Sequence, residues 1–271
     1  MEKQKNNKLP YCGDLVRNAD PDRFLLSMFV PAQYREDVWA VLAFNYEIAK
    51  TREVVSESTL GLIRLQWWRD MIGGIYDGHA APEHEVLKPL EAAIKTRDLP
   101  RETFEKLIYA REFDLENVQP GNIEGLMNYA DFTMTPLLEL IVKIMGDDPA
   151  QEFIQPMAIK SALIGVLRAT PFYARQGRLL LPEDLTTRHD ITIDNIFEEE
   201  CRKRVCDLVQ EIMDEMPEKV SADNVFLKGM IALGDLYAQQ IRVQGYDIMS
   251  PLLQREPIFK VLRVFWKTKI L

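Results

Sequence analysis

The sequence predicts an all-α protein, and three observations carry that prediction. Apolar residues recur at helical spacing in long segments: Val38, Val41, Leu42 and Ile48; Leu60, Ile63, Trp67 and Met71; Leu137, Leu140, Ile141 and Ile144. Proline follows Asp20, Leu99 and Asp148, where the first turn of a helix tolerates it, and the two Asp residues suit the N-cap. No segment alternates with the period of two that a half-buried strand requires.

Taken in order, these signals place a first helix over 21–29 behind the Asp20 cap, then 32–55 and 58–77 on the first two apolar stripes. Helices over 83–96 and 100–117 follow, the latter starting at Leu99-Pro100, and the third stripe falls in 122–145. Asp148-Pro149 opens 149–170, and helical spacing continues in 194–215, 222–243 and 256–268. At 271 residues the chain can bury the core of one domain or two. It contains no internal Gly/Ser- or Pro-rich linker and no repeat of fixed period, so a single helical domain over 10–271 is expected behind a disordered tail over 1–9.

A hydrophobic fraction of 47% and a charged fraction of 28% are ordinary for a soluble globular protein. The formal charge of -9 argues against nucleic acid as a partner, because neutralising phosphates takes clustered Lys and Arg. Cys12, Cys201 and Cys206 lack zinc-like spacing, and three cysteines fit reduced thiols better than a disulfide framework. The polar start, Met1 to Lys8, has no apolar core of the secretory kind, and no window reaches the roughly 18 apolar residues of a spanning helix. The expectation is a soluble or at most peripheral protein.

The segment Val38–Glu57, VWAVLAFNYEIAKTREVVSE, resembles a helix of the squalene/phytoene synthases, which ends in an arginine and an Asp-Asp-x-x-Asp cluster. Carboxylates four apart share one helix face, where they can hold the magnesium that grips a substrate diphosphate. With the V-W-A start in register, Tyr46 stands at the family arginine and Ala49, Lys50 and Glu53 at the three aspartates. A second segment, Leu163–Pro182, LIGVLRATPFYARQGRLLLP, is similar to the family stretch that carries an Asn and then Leu-Arg-Asp-x-x-Glu-Asp. Arg168, Arg178 and Leu181-Pro182 match, whereas Gly165 replaces the Asn, Ala169 the first Asp, and Phe172 and Tyr173 the Glu-Asp pair. Pro171 is expected to kink or end this helix, since it lacks the N–H that the helix needs. In YADFTMTPLL, from Tyr129, the family tyrosine is kept but Thr135 and Leu138 stand in place of helix-bending glycines.

The resemblance therefore implies a single-domain isoprenoid-synthase-like helical bundle whose metal site has degenerated. Tyr46, Ala49, Lys50, Glu53, Arg168, Ala169, Phe172 and Tyr173 are the expected remnant, lining or plugging a central cavity, with no catalytic residue and no metal ligand among them. Phe172 and Tyr173 either fill the substrate space or line a remodelled ligand cavity. In TLGLIRLQWWRDMIGGIYDG, Trp67 is expected in the core, with Arg64 and Trp68 placed to pair as cation and ring.

FNYEIA, VSESTLGLIRLQWW, LRATPFYARQGRLLLP and GYDIMSPLLQ together resemble the branch of this family that serves respiratory complex I assembly. That resemblance implies a catalytically degenerate scaffold, complex I subunits or assembly intermediates as partners, and no cofactor. Two readings stay open beside it. One is an active prenyl transferase that condenses isoprenoid diphosphates with magnesium and rearranged acids such as Glu47, Glu53, Glu112 and Asp131; the other is an isoprenoid- or lipid-binding protein. Over 258–271, Lys260, Arg263 and Lys267 lie on one side of a helix, and Ile258, Val261, Leu262 and Phe265 lie largely on another. Such a helix either rests on a membrane surface or docks on the bundle with its basic side in water. The expected location is the cytoplasm, at the inner face of a bacterial inner membrane, or the matrix side of the mitochondrion for a trimmed eukaryotic protein.

Overall fold

The computed structural model describes residues 9–147, 151–218 and 220–269, and among these all regular structure is helical. Most of the predicted tail and the Asp148-Pro149 helix start lie outside the described residues. The chain divides into two compact units, Met1–Glu112 with Leu140–Asp148 and Phe113–Glu139 with Pro149–Leu271.

The first unit is built around α3 (Ala32–Ala49), which is preceded by α1 (Tyr11–Ala19) and α2 (Pro21–Ser27) and followed by α4 (Thr51–Val54), α5 (Ser58–Tyr76) and α6 (Leu87–Arg97). The Asp20 cap holds, accepting a hydrogen bond from the Arg23 backbone N–H at 2.9 Å. From Val38 to Phe44 every side chain of α3 is buried, so this helix needs neighbours on all sides. Phe44 meets Trp68 of α5 and Phe104 of α7 (Arg101–Glu116) edge-on at 5.5 Å. Trp39 stacks on Phe24 of α2 and donates its indole N–H to Ser27 Oγ at 2.7 Å. Across α1 the same ring sits over Gly13, where a Cβ would come within 2.8 Å of Trp39 Cε3. The α1 helix went unpredicted because it is short and its periodicity too brief to register.

Three details of this unit differ from the sequence reading. The buried face of α5 is Gly61, Leu65, Trp68, Ile72 and Ile75, whereas Leu60, Ile63 and Trp67 are 49%, 62% and 39% exposed. Trp67 is therefore not core and Trp68 is; with two adjacent tryptophans, either of two stripes is apolar, and packing against Phe44 selects the one through Trp68. The helix predicted from 83 begins at Leu87, because the His84 imidazole accepts the Val86 and Leu87 backbone N–H groups ahead of it. The helix predicted over 32–55 divides into α3 and α4 at Lys50.

The second unit comprises most of α8 (Ile123–Ile144), then α9 (Gln151–Arg175), α10 (Glu183–Arg188), α11 (Arg202–Asp214), α12 (Val225–Val243) and α13 (Lys260–Lys269). The third apolar stripe is fully buried, as read from the sequence. Pro171 does not end α9, which continues to Arg175 with Pro156 and Pro171 inside it. Burial of Pro171, Thr170 and Ala174 outweighs the missing bond. Thr170 turns its hydroxyl back to the Val166 carbonyl at 2.9 Å, within the turn that the proline weakens. The segment predicted to start a helix at 194 forms a turn in which Thr192 and Asn195 bond each other's backbone N–H, and the helix proper starts at Arg202. The N-terminal ends of α12 and the 251–254 turn are capped by Asn224 and Ser250.

Two measurements follow from this packing. Gly13→Ala is expected to cost about 1–3 kcal/mol of overpacking against the Trp39 ring. Gly165→Ala, in α9 with nothing within 4 Å of the added methyl, is expected to stabilise by up to about 1 kcal/mol; urea unfolding of both variants reads the contrast. Burial also pushes the Cys12 thiol from 9.0 up to about 12. The unfolded chain then releases its proton first, so the contribution is intact below pH 9.0 and is lost as pH rises toward about 12. Between pH 8 and pH 10.5, wild type should lose about 2 kcal/mol more than Cys12→Ala.

Candidate functional site

The first half of the expected site lies in the first unit, at the end of α3 and in α4. Tyr46, Ala49 and Lys50 are half-buried there and Glu53 is exposed. The group that organises this end is Glu47, which is 8% exposed. One Glu47 carboxylate oxygen takes the Lys50 ammonium at 2.5 Å and the other takes Arg64 Nη2, from α5, at 2.9 Å. Lys50 also stands 4.9 Å from the centroid of the Tyr46 ring. Arg64 thus pairs with a carboxylate, and the expected Arg64–Trp68 contact is replaced because Trp68 turns inward. Nearby in sequence and on the same unit, Arg69 bridges Glu105 at 3.0 Å and Glu112 at 2.7 Å. Burial opposes the Arg69 charge, but its hydrogen bonds to Glu112 and Glu105 outweigh that effect and hold its pKa above the ordinary value.

Magnesium requires several oxygen ligands with an excess of negative charge. Around Glu47 there is one carboxylate between an ammonium and a guanidinium, and Glu105 and Glu112 share the Arg69 guanidinium, with Arg101 a further 3.9 Å from Glu105. These residues do not fit a magnesium site. Among the described residues no group of three or more His, Cys, Asp or Glu side chains is placed to hold a metal ion.

The second half of the expected site lies in the second unit, on the last turns of α9. Arg168, Ala169 and Tyr173 are half-buried, and Phe172 is 51% exposed. Arg168 places its guanidinium carbon 3.5 Å from the centroid of the Tyr237 ring, from α12, a stacking partner that the sequence did not suggest. Phe172 and Tyr173 meet edge-on at 5.9 Å. Behind them Arg178, 8% exposed, donates from Nε to Asn117 Oδ1 at 3.0 Å and lies 3.8 Å from Asp114 Oδ1. Tyr129 donates its hydroxyl to the same Asp114 oxygen at 2.8 Å. Two family-like positions, Tyr129 and Arg178, are thus joined through Asp114, while Asn117 is held at φ 54 just past α7, a conformation that asparagine tolerates. Asp131, from the rearranged-acid reading, is engaged by Thr135 and Gln155. Of the four rearranged acids, Glu47, Glu112 and Asp131 each hold a hydrogen-bonding partner within their own unit, and Glu53 is exposed.

The squalene/phytoene synthase family model matches residues 16–261, and the chain belongs to that family. Its relatives include the protein named NADH dehydrogenase (ubiquinone) complex I, assembly factor 6, of Bos taurus, which is 29% identical over 91% of this chain and 77% of its own. The Homo sapiens protein of the same name is 28% identical over 95% of this chain and 82% of its own. Among solved structures, squalene synthase HpnC from Alicyclobacillus acidocaldarius superposes with a TM-score of 0.71 at 21% identity, covering 87% of this chain and 93% of that one.

The charge arrangement at the end of α3 sets the prediction for this site. Glu47→Gln should cost about 2 kcal/mol by leaving two cations without their buried counter-charge. Glu53→Gln should stay within about 0.5 kcal/mol of wild type. Guanidinium unfolding of the two variants distinguishes an organising Glu47 from a solvated one.

Proposed function

We propose that this protein is a catalytically degenerate member of its family that serves as a scaffold in the assembly of respiratory complex I. The observation that carries the reading is Glu47 held between Lys50 and Arg64, where the family chemistry calls for carboxylates and a divalent cation. The name borne by relatives that align along nearly the whole chain supports the assembly role. In this reading the partners are complex I subunits or their assembly intermediates. The protein works on the cytoplasmic side of a bacterial inner membrane, or on the matrix side in a mitochondrial setting. No described helix is long and apolar enough to cross a membrane. The positions Tyr46, Ala49, Lys50, Glu53, Arg168, Ala169, Phe172 and Tyr173 are the remnant of the ancestral substrate site and make no metal-dependent step.

Deletion in the native organism should lower complex I activity and deplete its assembled subunits, with wild-type levels restored by the intact gene. Unchanged activity and subunit composition would overturn the assembly role. Calorimetric titration with farnesyl and geranylgeranyl diphosphate, with and without magnesium, tests the loss of chemistry separately. Binding that needs magnesium and yields a condensed product would restore the transferase reading, whereas no product in either condition is the expected result.

A further inference from the structure

The terminal helix presents to solvent the side that sequence periodicity assigns to the core. α13 docks through Lys260, Val264 and Thr268, which are 7%, 0% and 7% exposed. One ion pair ties it to α12, from Lys267 to Asp235 at 3.0 Å, and Lys260 pairs locally with Glu256 at 2.6 Å. Lys160 of α9 binds the other Asp235 oxygen at 3.0 Å. Ile258, Phe259, Val261, Leu262, Phe265 and Trp266 remain 77%, 72%, 56%, 59%, 44% and 55% exposed. The expected arrangement, with apolar residues inward and the basic side in water, is thus reversed for Lys260, Val261, Leu262 and Phe265. The Asp235 bridge helps to fix that orientation by drawing Lys267 back toward α12.

We propose that this face of α13 seats the protein on an anionic lipid surface. An apolar patch of this size on a soluble chain marks an interaction surface, and its chemistry selects the occupant. Residues 258–269 contain no acidic residue; Lys260 is answered by Glu256, but Arg263 is exposed and Lys267 shares the single Asp235 carboxylate with Lys160, so this helix keeps net positive charge in a chain whose formal charge is -9. Local positive charge set against a negative whole complements a negative surface confined to one side of the molecule. A second copy docked through the same face would bring two basic helices together. Phe265 and Trp266, with the aliphatic Val261 and Leu262, supply the side chains that enter the boundary between headgroups and acyl chains, while Arg263 flanks them. The exposed apolar side chains run along one outer side of Lys260–Lys269, an arrangement suited to lying along a surface. The inference is read from α13 alone and does not depend on the assembly role.

Flotation of the full chain with phosphatidylcholine vesicles, with and without phosphatidylglycerol, tests it. Retention is expected on the anionic vesicles and should fall as salt is raised. Arg263→Gln should weaken it about fivefold, the equivalent of about 1 kcal/mol per basic residue at the surface. Leu262→Glu with Trp266→Glu should reduce it by more than about tenfold. All of these side chains are exposed, so circular dichroism and Tm should stay at wild-type values, and the salt and lipid dependence of the unaltered protein stands without any variant. Absence of retention on anionic vesicles, or retention that survives the double substitution, would overturn the proposal. So would a dimer in sedimentation equilibrium that the double substitution dissociates, since the face would then belong to a second copy.

Discussion

A carboxylate carried at the end of a buried helix has to be neutralised, and that requirement links the packing of the first unit to its chemistry. α3 is enclosed from Val38 to Phe44, so its C-terminal turn cannot swing out to expose Glu47 without unpacking Trp39, Phe44 and their partners. Removing a charge from water costs several kcal/mol unless it is compensated. A divalent cation is one solution, and it recruits further carboxylates. Lys50 and Arg64 are another, and they exclude the first, because an ammonium 2.5 Å from the carboxylate occupies the place a metal would need. With Lys50 and Arg64 in place, a metal site at this end of α3 would take more than one aspartate at position 49 or 50.

The second unit solves the same problem with different groups. Asp114 is 8% exposed and is satisfied by Tyr129 and by the buried Arg178. Arg168 lies against the Tyr237 ring, where the flat, weakly hydrated guanidinium can stack. The residues read as family-like in this unit, Tyr129, Arg168 and Arg178, have internal partners, whereas Phe172, which differs, is 51% exposed.

How much of this was legible in the sequence depended on whether a local signal was unique. The α3 and α8 stripes were read correctly because both stretches are buried on nearly every side, so no choice between faces arises. The Trp67-Trp68 pair offered two equivalent faces to α5, and packing against Phe44, 24 residues before Trp68 in sequence, decides between them. Pro171 looked like a helix end because propensity is local, whereas burial of its neighbours is not. The replaced aspartates were visible from register alone, but the role of Glu47 was not, since its partner Arg64 is a long-range contact between separate helices. Tyr237 was missed for the same reason.

The reversed α13 carries this argument furthest. Periodicity identifies two sides of a helix but not which one a neighbour will accept. Here the acceptor surface is polar, with Asp235 already bound to Lys160, and it selects the stripe that can answer it: Lys267 forms a second bond to Asp235, and Val264 fills the apolar space. Desolvation raises the Asp235 pKa, but the hydrogen bonds from Lys160 and Lys267 exceed it and hold the group below its ordinary value. A helix end oriented by charge leaves its apolar residues facing outward, and a chain that retains such a surface has a use for it outside its own core.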